Sequence, residues 1–327
     1  MATMSFREAL NQALDEEMQR DSTVFLMGEE VAEYQGAYKV SQGLLDKYGA
    51  RRVIDTPITE LSFAGVGVGA AMVGLRPIIE MMTFNFSILA LDQIWNHAAK
   101  MRLMSGGQYK MPITLRGPNG PAHMLSAQHS QATEAWYANI PGLKVVAPST
   151  PNDAKGLLKA SIRDDDPVIF MEAELMYNMQ GEVSDAADYL LPLGQAHVKR
   201  EGSDVTVISF SKGIHHALGA AAALQQQGVS VEVLDLRTIR PLDMETIARS
   251  VKKTHRVVTV EEGWPYGGIG AELAYRIQHQ LFDHLDAPVT RVTSLDVPMP
   301  YAENLEELCL PRPRDVIAAI NAVTYRS

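Results

Sequence analysis

Three side chains able to transfer protons stand at the ends of predicted elements in the first half of the chain. Glu60 begins a predicted helix, Glu29 follows the apolar strand 24–27, and His129 lies in the polar run 127–131. Carboxylates at the carboxyl ends of parallel strands lie where ligands usually bind in α/β sheets. A histidine flanked by hydrogen-bonding neighbours suits proton exchange near neutral pH. We therefore treat these three residues as candidate site residues.

Glu60 admits two interpretations. Pro57 keeps the preceding residue extended, and Thr59 is the predicted N-cap of a helix from Glu60 to about Val73. An acid there could simply satisfy free amides and the helix dipole. The same helix contains several glycines, and each interior glycine costs roughly 0.5–1 kcal/mol relative to alanine. Small residues let another backbone or a flat ligand approach the helix closely, which favours a carboxylate beside a tightly packed interface. The glycines are Gly65, Gly67, Gly69 and Gly74.

Two glycine patterns suggest phosphate binding. Gly65, Gly67 and Ala70 fit the G-x-G-x-x-A spacing of dinucleotide sites, but they lie inside the helix and Glu60 would repel a pyrophosphate. Glu80, the acid of the next strand, lies within the strand pattern and is a poor ribose ligand. The run 267–270 opens a later helix without a lysine or a third spaced glycine. A nicotinamide dehydrogenase that uses Gly65, Gly67 and Ala70 is an alternative with weak support from these patterns.

An aromatic pair follows the second strand of this region. On a continuing strand, Phe84 and Phe86 share one face and Asn85 points the other way. Core packing is the simple explanation for both rings. A helix is predicted next, from about Ile88 to Met104.

Strands alternate with helices throughout the chain, which predicts an α/β fold with two doubly wound, mostly parallel sheets. The periodicity fades between about residues 181 and 202. We therefore expect a first domain over 1–185, a linker over 186–202 and a second domain over 203–327.

Composition excludes several classes of protein. The 327 residues carry a net charge of -10 with no cluster of basic residues, which argues against nucleic acid and favours a basic partner surface. The apolar run 63–75 is too short and too rich in glycine to span a bilayer. A single cysteine, Cys309, fits a reducing compartment. We expect a cytoplasmic protein.

The chain resembles the beta-subunit family of the 2-oxo acid dehydrogenases in stretches that follow the family's order. They include MGEEVAEYQGAYKVSQGL, DTPITELSFAGVGVGAAMVGLRPIIEMMTFNF, AQHSQ, LDLRTIRPLDMETI, VEEGWPYGGIGAE and DVPMPYAENLE. Pyruvate dehydrogenases are the nearest members, and acetoin and branched-chain 2-oxo acid enzymes use similar subunits. The resemblance implies a pyrimidine-binding domain followed by a transketolase carboxyl-terminal domain.

The resemblance also implies partners and cofactors. Members pair with an alpha subunit in an alpha-two beta-two tetramer, bind thiamine diphosphate between the chains, and acetylate the lipoyl domain of an acyltransferase core. No Gly-Asp-Gly with downstream paired asparagines occurs in this sequence, so the Mg²⁺ and the diphosphate are expected on the alpha subunit.

Roles for individual residues follow from the same resemblance. Glu60 matches the glutamate that forms a hydrogen bond with the pyrimidine ring of the cofactor, and Phe86 matches the aromatic residue that stacks on that ring. Ile58 matches a wall of the pocket, Glu29 a nearby acid and His129 an active-site histidine. Some members bind a structural potassium ion. The matching positions offer oxygen donors and are Ile113, Ser161, Ile162, Asp164 and Asp166, the last commonly asparagine in relatives.

The resemblance favours a thiamine-dependent oxidoreductase that decarboxylates pyruvate. The non-enzymatic alternative is a scaffold subunit whose acidic surface docks a basic partner.

Overall fold

The computed structural model describes residues 1–186 and 188–326. Ala187, in the predicted linker, and Ser327, which ends the predicted second domain, lie outside the described residues. The chain forms two compact units. The first contains Met1–Asn119 and Trp136–Leu193, and the second contains Gly120–Ala135 and the residues from Gly194 onward.

The elements before residue 194 alternate as the sequence predicts. The strands are β1 (Ala2–Ser5), β2 (Val24–Gly28), β3 (Val53–Asp55), β4 (Arg76–Glu80), β5 (Thr114–Asn119), β6 (Lys144–Val146), β7 (Val168–Ala173) and β8 (Gln180–Val183). The helices are α1 (Phe6–Arg20), α2 (Leu44–Tyr48), α3 (Glu60–Met72), α4 (Met101–Met104), α5 (Glu134–Ala138) and α6 (Pro151–Arg163).

The main sheet of the first unit is parallel. Its strands lie in the order β6-β7-β5-β4-β2-β3. A separate antiparallel pair joins β1 to β8, with Ala2 opposite Val183. The carboxyl ends of β2, β3 and β4 therefore lie side by side, and the segments with Glu29, Glu60 and Phe86 follow from them.

Local sequence explains how α1 begins. The Ser5 hydroxyl accepts the amide of Glu8 at 3.3 Å, and the Glu8 carboxylate accepts the Ser5 amide at 2.7 Å. This capping box satisfies two amides that the first turn leaves without helical partners. The apolar face of α1, from Phe6 to Met18, lies in the core of the first unit.

The helix predicted over 88–104 is wrong as a single element. The structure has a 3₁₀ helix over Phe84–Ala90, a π-helical segment over Gln93–Ala98 and the short α4. Phe84 and Phe86 are consequently not on a continuing strand, because β4 ends at Glu80. The Thr83 side chain accepts the Asn85 amide and starts the 3₁₀ turn.

The second unit repeats the alternation. Its strands are β9 (His197–Arg200), β10 (Val205–Ser209), β11 (Val231–Asp235), β12 (Thr238–Arg240), β13 (Val257–Val260) and β14 (Thr290–Val292). Its helices are α7 (Gly213–Gln225), α8 (Met244–Thr254), α9 (Ile269–Leu281), α10 (Glu303–Cys309) and α11 (Pro313–Val323). The predicted linker, 186–202, includes β9.

The sheet of the second unit has the order β14-β13-β10-β11-β9, and β9 alone in this sheet runs antiparallel to its neighbour. Both units are therefore α/β layers with mostly parallel strands, which confirms the predicted fold class. Over 1–186 and 188–326, no helix is both long and apolar enough to cross a membrane.

Candidate active site

Glu60 stands at the amino end of α3 with only 7% of its surface exposed. Thr59 is the N-cap residue, but its side chain accepts no amide from the first turn, and its hydroxyl donates to Ser62 Oγ at 2.9 Å. Within the described ranges the Glu60 carboxylate accepts no hydrogen bond from the chain. The Glu60 side chain therefore satisfies no amide of its own helix, although its charge still lies at the positive end of the helix dipole, and its carboxyl group is available to a ligand.

Glu29 lies beside Glu60 in the first unit. Its surface is 6% exposed, and its buried Oε1 accepts no hydrogen bond from the residues the structure describes. Burial, and next the negative charge of Glu60, raise the pKa of the Glu29 carboxyl to about 6. Two buried carboxyl groups close enough to affect each other's charge are typical of proton-transfer sites.

Strand pairing brings these two acids together. Gly28, which precedes Glu29, pairs with Asp55 across β2 and β3. A Cβ at Gly28 would lie 2.5 Å from the carbonyl oxygen of Glu80 on the other side of β2. Glycine therefore lets three parallel strands approach closely just where the candidate residues begin.

The small residues of α3 have two different surroundings. A Cβ on Gly67 would lie 2.7 Å from Ile79 Cδ1, and one on Gly65 would lie 3.3 Å from the Gln93 side chain. A Cβ on Gly69 would meet nothing within 4 Å. Close packing within the chain accounts for Gly65 and Gly67, while Gly69 faces open space.

Phe86 and Ile58 lie on the segments that follow β4 and β3. Phe86 is half-buried in the 3₁₀ helix, and Ile58 is 83% exposed two residues before Glu60. An isoleucine exposed to this extent is available to a ligand or to a partner chain.

His129 belongs to the second unit. It ends the 3₁₀ helix Ala127–His129 and is partly exposed. Its loop is held by the Met124 amide, which donates to the Glu306 carboxylate at 2.9 Å, and Met124 and Ser126 both have positive φ values. The backbone around His129 is therefore fixed by contacts within that unit.

Backbone carbonyl oxygens of the predicted potassium segment already accept hydrogen bonds, two of them from a guanidinium group. Arg76 Nη1 donates to the carbonyl oxygens of Ile162 and Asp164 at 3.1 and 3.0 Å. The Ile113 carbonyl accepts the Val168 amide, and the Ser161 carbonyl accepts the Asp164 amide. Each of these oxygens retains a second lone pair.

The carboxylates of the same segment are paired. Lys144 Nζ lies 2.6 Å from Asp164 Oδ2 and 3.3 Å from Asp166 Oδ2. Arg102 also pairs with Asp166, the residue that departs from the family pattern. The additional charge of that aspartate is therefore balanced within the chain. Over 1–186 and 188–326, no three His, Cys, Asp or Glu side chains converge to hold a metal ion.

A buried charge cluster that the sequence did not reveal connects β4, β5 and β7. Arg116 donates to Glu80 and to both oxygens of Glu172, and the Tyr177 hydroxyl donates to Glu172 at 2.7 Å. Burial raises the pKa of the Glu80 carboxyl. This cluster holds adjacent strands together immediately before the functional segments.

A second cluster corrects the phosphate reading of the run 267–270. The Glu261 carboxylate accepts the amides of Ile269 and Gly270 at 2.8 and 2.9 Å, and burial raises its pKa. Cβ atoms on Gly268 or Gly270 would lie within 2.8 Å of that carboxylate. The glycines accommodate an internal carboxylate, which takes the amides a phosphate would use.

Comparison with known families and proteins gives consistent matches. Residues 2–180 match the family described as "Transketolase, pyrimidine binding domain", and residues 194–316 match "Transketolase, C-terminal domain". The chain is 59% identical to "Pyruvate dehydrogenase E1 component subunit beta" of Rhizobium meliloti (strain 1021), over 100% of this chain and 71% of the relative. It is 55% identical to the human mitochondrial subunit of that name, over 97% of this chain and 89% of the relative.

A solved structure shares the fold. A split-gene transketolase described as an inactive beta4 tetramer superposes with a TM-score of 0.82 at 24% identity, covering 98% of both chains. At that identity the likeness concerns the fold alone. Glu29, Glu60 and His129 all lie in the residues that match the pyrimidine-binding family, although His129 belongs to the second unit.

Proposed function

The chain belongs to the family of pyruvate dehydrogenase E1 beta subunits, and on that premise we propose that it is one half of a thiamine diphosphate-dependent pyruvate dehydrogenase. The reaction is the oxidative decarboxylation of pyruvate with reductive acetylation of a lipoyl group. The observation that carries the proposal is that the Glu60 side chain is only 7% exposed and accepts no hydrogen bond within the described residues.

The residues of the first unit fit the pyrimidine half of this cofactor. A carboxyl group in a pocket of low solvent access is the group that a ring nitrogen needs as a hydrogen-bond partner. Glu29 has a buried carboxylate oxygen without a hydrogen-bond partner in the described chain, and Phe86 offers an aromatic ring on the neighbouring segment. Thiamine diphosphate, when bound, supplies the carbon nucleophile that attacks the 2-oxo group of the substrate.

Each residue of this chain has a task in the proposal. Glu60 holds a proton between its carboxyl group and the pyrimidine ring nitrogen, and Phe86 orients the ring by stacking. Ile58 excludes water from the pocket. Glu29, with a pKa of about 6, exchanges a proton near neutral pH. His129 acts as the acid or base for the group transferred to the lipoyl arm.

The proposed partners follow because the cofactor site is divided between this chain and a second subunit. We propose an alpha subunit that holds the diphosphate and Mg²⁺, an alpha-two beta-two assembly, and an acyltransferase core that docks on this chain. The open side of α3 at Gly69 and the exposed Ile58 support a close-fitting partner chain. A cytoplasmic location remains part of the proposal.

Potassium is proposed as a structural ion at Ile113, Ser161, Ile162, Asp164 and Asp166. The unshared lone pairs of the carbonyl oxygens support this role. The guanidinium of Arg76 opposes it electrostatically, because it donates to two of the same oxygens. The ion is therefore expected to bind weakly.

Two alternatives differ in what supports them. Acetoin or branched-chain 2-oxo acids would use the same groups of this chain, because the alpha subunit shares the substrate pocket. A nicotinamide enzyme is disfavoured, because Gly65 and Gly67 are packed against Gln93 and Ile79 and leave no room for a pyrophosphate.

The experiment is turnover of pyruvate with an artificial electron acceptor, using the chain mixed with its candidate alpha subunit. We expect activity only in the mixture, and we expect Glu60→Gln to lower kcat by about 10²-fold or more while the subunits still assemble. Glu33→Gln, which removes a charge from the turn after β2, is the matched control and should leave kcat nearly unchanged. Full activity of the Glu60→Gln mixture would refute the proposal.

A further inference from the structure

The segments that carry Glu29 and Glu60 leave the sheet side by side. Gly28 and Asp55 are paired at the ends of β2 and β3, and the Thr56 amide donates to the Gly28 carbonyl at 3.0 Å. From this point one chain segment runs on to Glu29 and the other to Glu60. Their separation depends on what ties the two segments together beyond the sheet.

The Asp55 carboxylate makes that connection. Its Oδ1 accepts the Ala32 amide at 2.7 Å, and its Oδ2 accepts the Glu33 amide at 3.1 Å. Hydrogen bonds from amides to a carboxylate are among the stronger ones in proteins. One side chain at the end of β3 therefore holds two consecutive amides of the turn that follows β2.

The turn itself is tightly constrained. Glu30 has a φ of 57°, and the Gly36 amide donates to the Glu30 carbonyl at 2.8 Å. Val31 and Ala32 are buried in the core of the first unit. A shift of the amides at Ala32 and Glu33 would therefore be transmitted to Glu29 through only a few bonds.

We propose that Asp55 is a positioning residue, which clamps the turn of residues 29–33 against the segment of residues 56–60 and so sets the distance between the carboxyl groups of Glu29 and Glu60. The positioning of Glu29 by Asp55 is a property of this chain alone. The effect on catalysis rests on the proposed function.

The charged groups around Glu29 define what the clamp controls. Glu60 faces it from α3 and contributes to its raised pKa. Glu80 approaches the same loop from β4, but its charge is paired with Arg116 of β5. Glu30 and Glu33 lie on the turn itself. Glu60 is therefore the charged neighbour whose distance from Glu29 depends on Asp55.

The first test uses the purified full chain without cofactor. The Tm difference between the chain and its Glu29→Gln variant is measured from pH 4 to 8, because this difference follows the titration of Glu29. In the Asp55→Ala background we expect the midpoint of that change to fall by about half a pH unit at most, toward the ordinary glutamate value, because burial is the larger cause of the raised pKa and Glu60 the smaller one. Asp55→Asn, which retains one carbonyl acceptor, should give an intermediate shift and serves as the test if Asp55→Ala does not fold.

The second test uses the mixture with the alpha subunit. Asp55→Ala should lower kcat/KM for pyruvate by about 10-fold and move the acid limb of the pH profile in the same direction as the stability midpoint. Glu33→Gln, which keeps its backbone amide, is the control for charge and should change neither readout.

The outcomes separate the two proposals. An unchanged titration midpoint in both Asp55 variants overturns the clamp, whatever the activity shows. A shifted midpoint in a chain whose mixture does not turn over pyruvate supports the clamp and refutes the proposed function.

Discussion

Arg116 donates its Nε–H to Glu172 over 2.5 Å in a part of the first sheet where the two residues are 1% and 0% exposed. The same guanidinium also reaches Glu80, so that one buried cation serves two buried anions. A buried charge is costly unless it is paired and hydrogen-bonded. This arrangement depends on Arg116 more than on either acid.

Replacing Arg116 with methionine should therefore destabilise the chain strongly. Two carboxylates would remain buried without a cation, and we expect a loss of about 3–5 kcal/mol in the free energy of unfolding, measured by urea denaturation. Arg276→Met is the matched control, because Arg276 pairs with Glu272 at the surface of α9. That change should lower the free energy by less than about 1 kcal/mol. Equal losses in the two variants would contradict the importance of the buried cluster.

The stability effect of Glu29 should depend on pH. Its pKa is raised from 4.5 in the unfolded reference to about 6 in the folded chain, so the ionised carboxylate opposes folding. Glu29→Gln should therefore raise the Tm at pH 7.5. This advantage should shrink as the pH falls through 6 and vanish below about 4.5, which differential scanning calorimetry can follow. A constant difference at all pH values would mean that the titration of Glu29 is not the cause.

The glycines of α3 provide a matched pair of substitutions. Gly67→Ala would push a methyl group into Ile79, so we expect overpacking of about 1–3 kcal/mol to exceed the helical gain of about 0.5–1 kcal/mol. Gly69→Ala meets open space and should stabilise the isolated chain by that helical gain, measured by thermal unfolding. If α3 contacts the alpha subunit at Gly69, the same variant should weaken assembly in sedimentation experiments.

Potassium should stabilise the full chain modestly. An ion with a Kd of about 10 mM would add about 1.4 kcal/mol at a concentration of about 100 mM. We expect the Tm in potassium chloride to exceed that in tetramethylammonium chloride at equal ionic strength, with sodium chloride as the second control. Identical Tm values in all three salts would remove potassium from the proposal.

Local sequence signals predicted the elements that depend on neighbouring residues. The capping box of Ser5 and Glu8, the start of α3 at Glu60 and the alternation of strands and helices all follow from short-range rules. Residue type and position indicated Glu29, Glu60 and His129 as candidates, and the resemblance to a known family added Ile58 and the role of each residue. It could not indicate that Glu29 has a raised pKa, because this depends on burial and on the distance to Glu60.

Features built from distant residues were missed for a physical reason. Arg116 meets partners 36 and 56 residues away, and neither acid shows a pattern that separates it from an ordinary strand residue. The broken helix over 88–104 was missed because apolar spacing does not distinguish α from π or 3₁₀ turns. Likewise, the glycines at 268 and 270 indicate close approach without indicating that Glu261 is the group that approaches.

The pairing of β1 with β8 bears on how the chain acquires its structure during synthesis. Ala2 is opposite Val183, so β1 is synthesised long before the strand with which it pairs. Until then α1 can collapse onto other apolar segments, but β1 exposes unpaired amide and carbonyl groups of the kind that invite association between chains. Completion of the first unit therefore waits for β8, and a nascent chain interrupted before residue 183 leaves β1 without its partner strand.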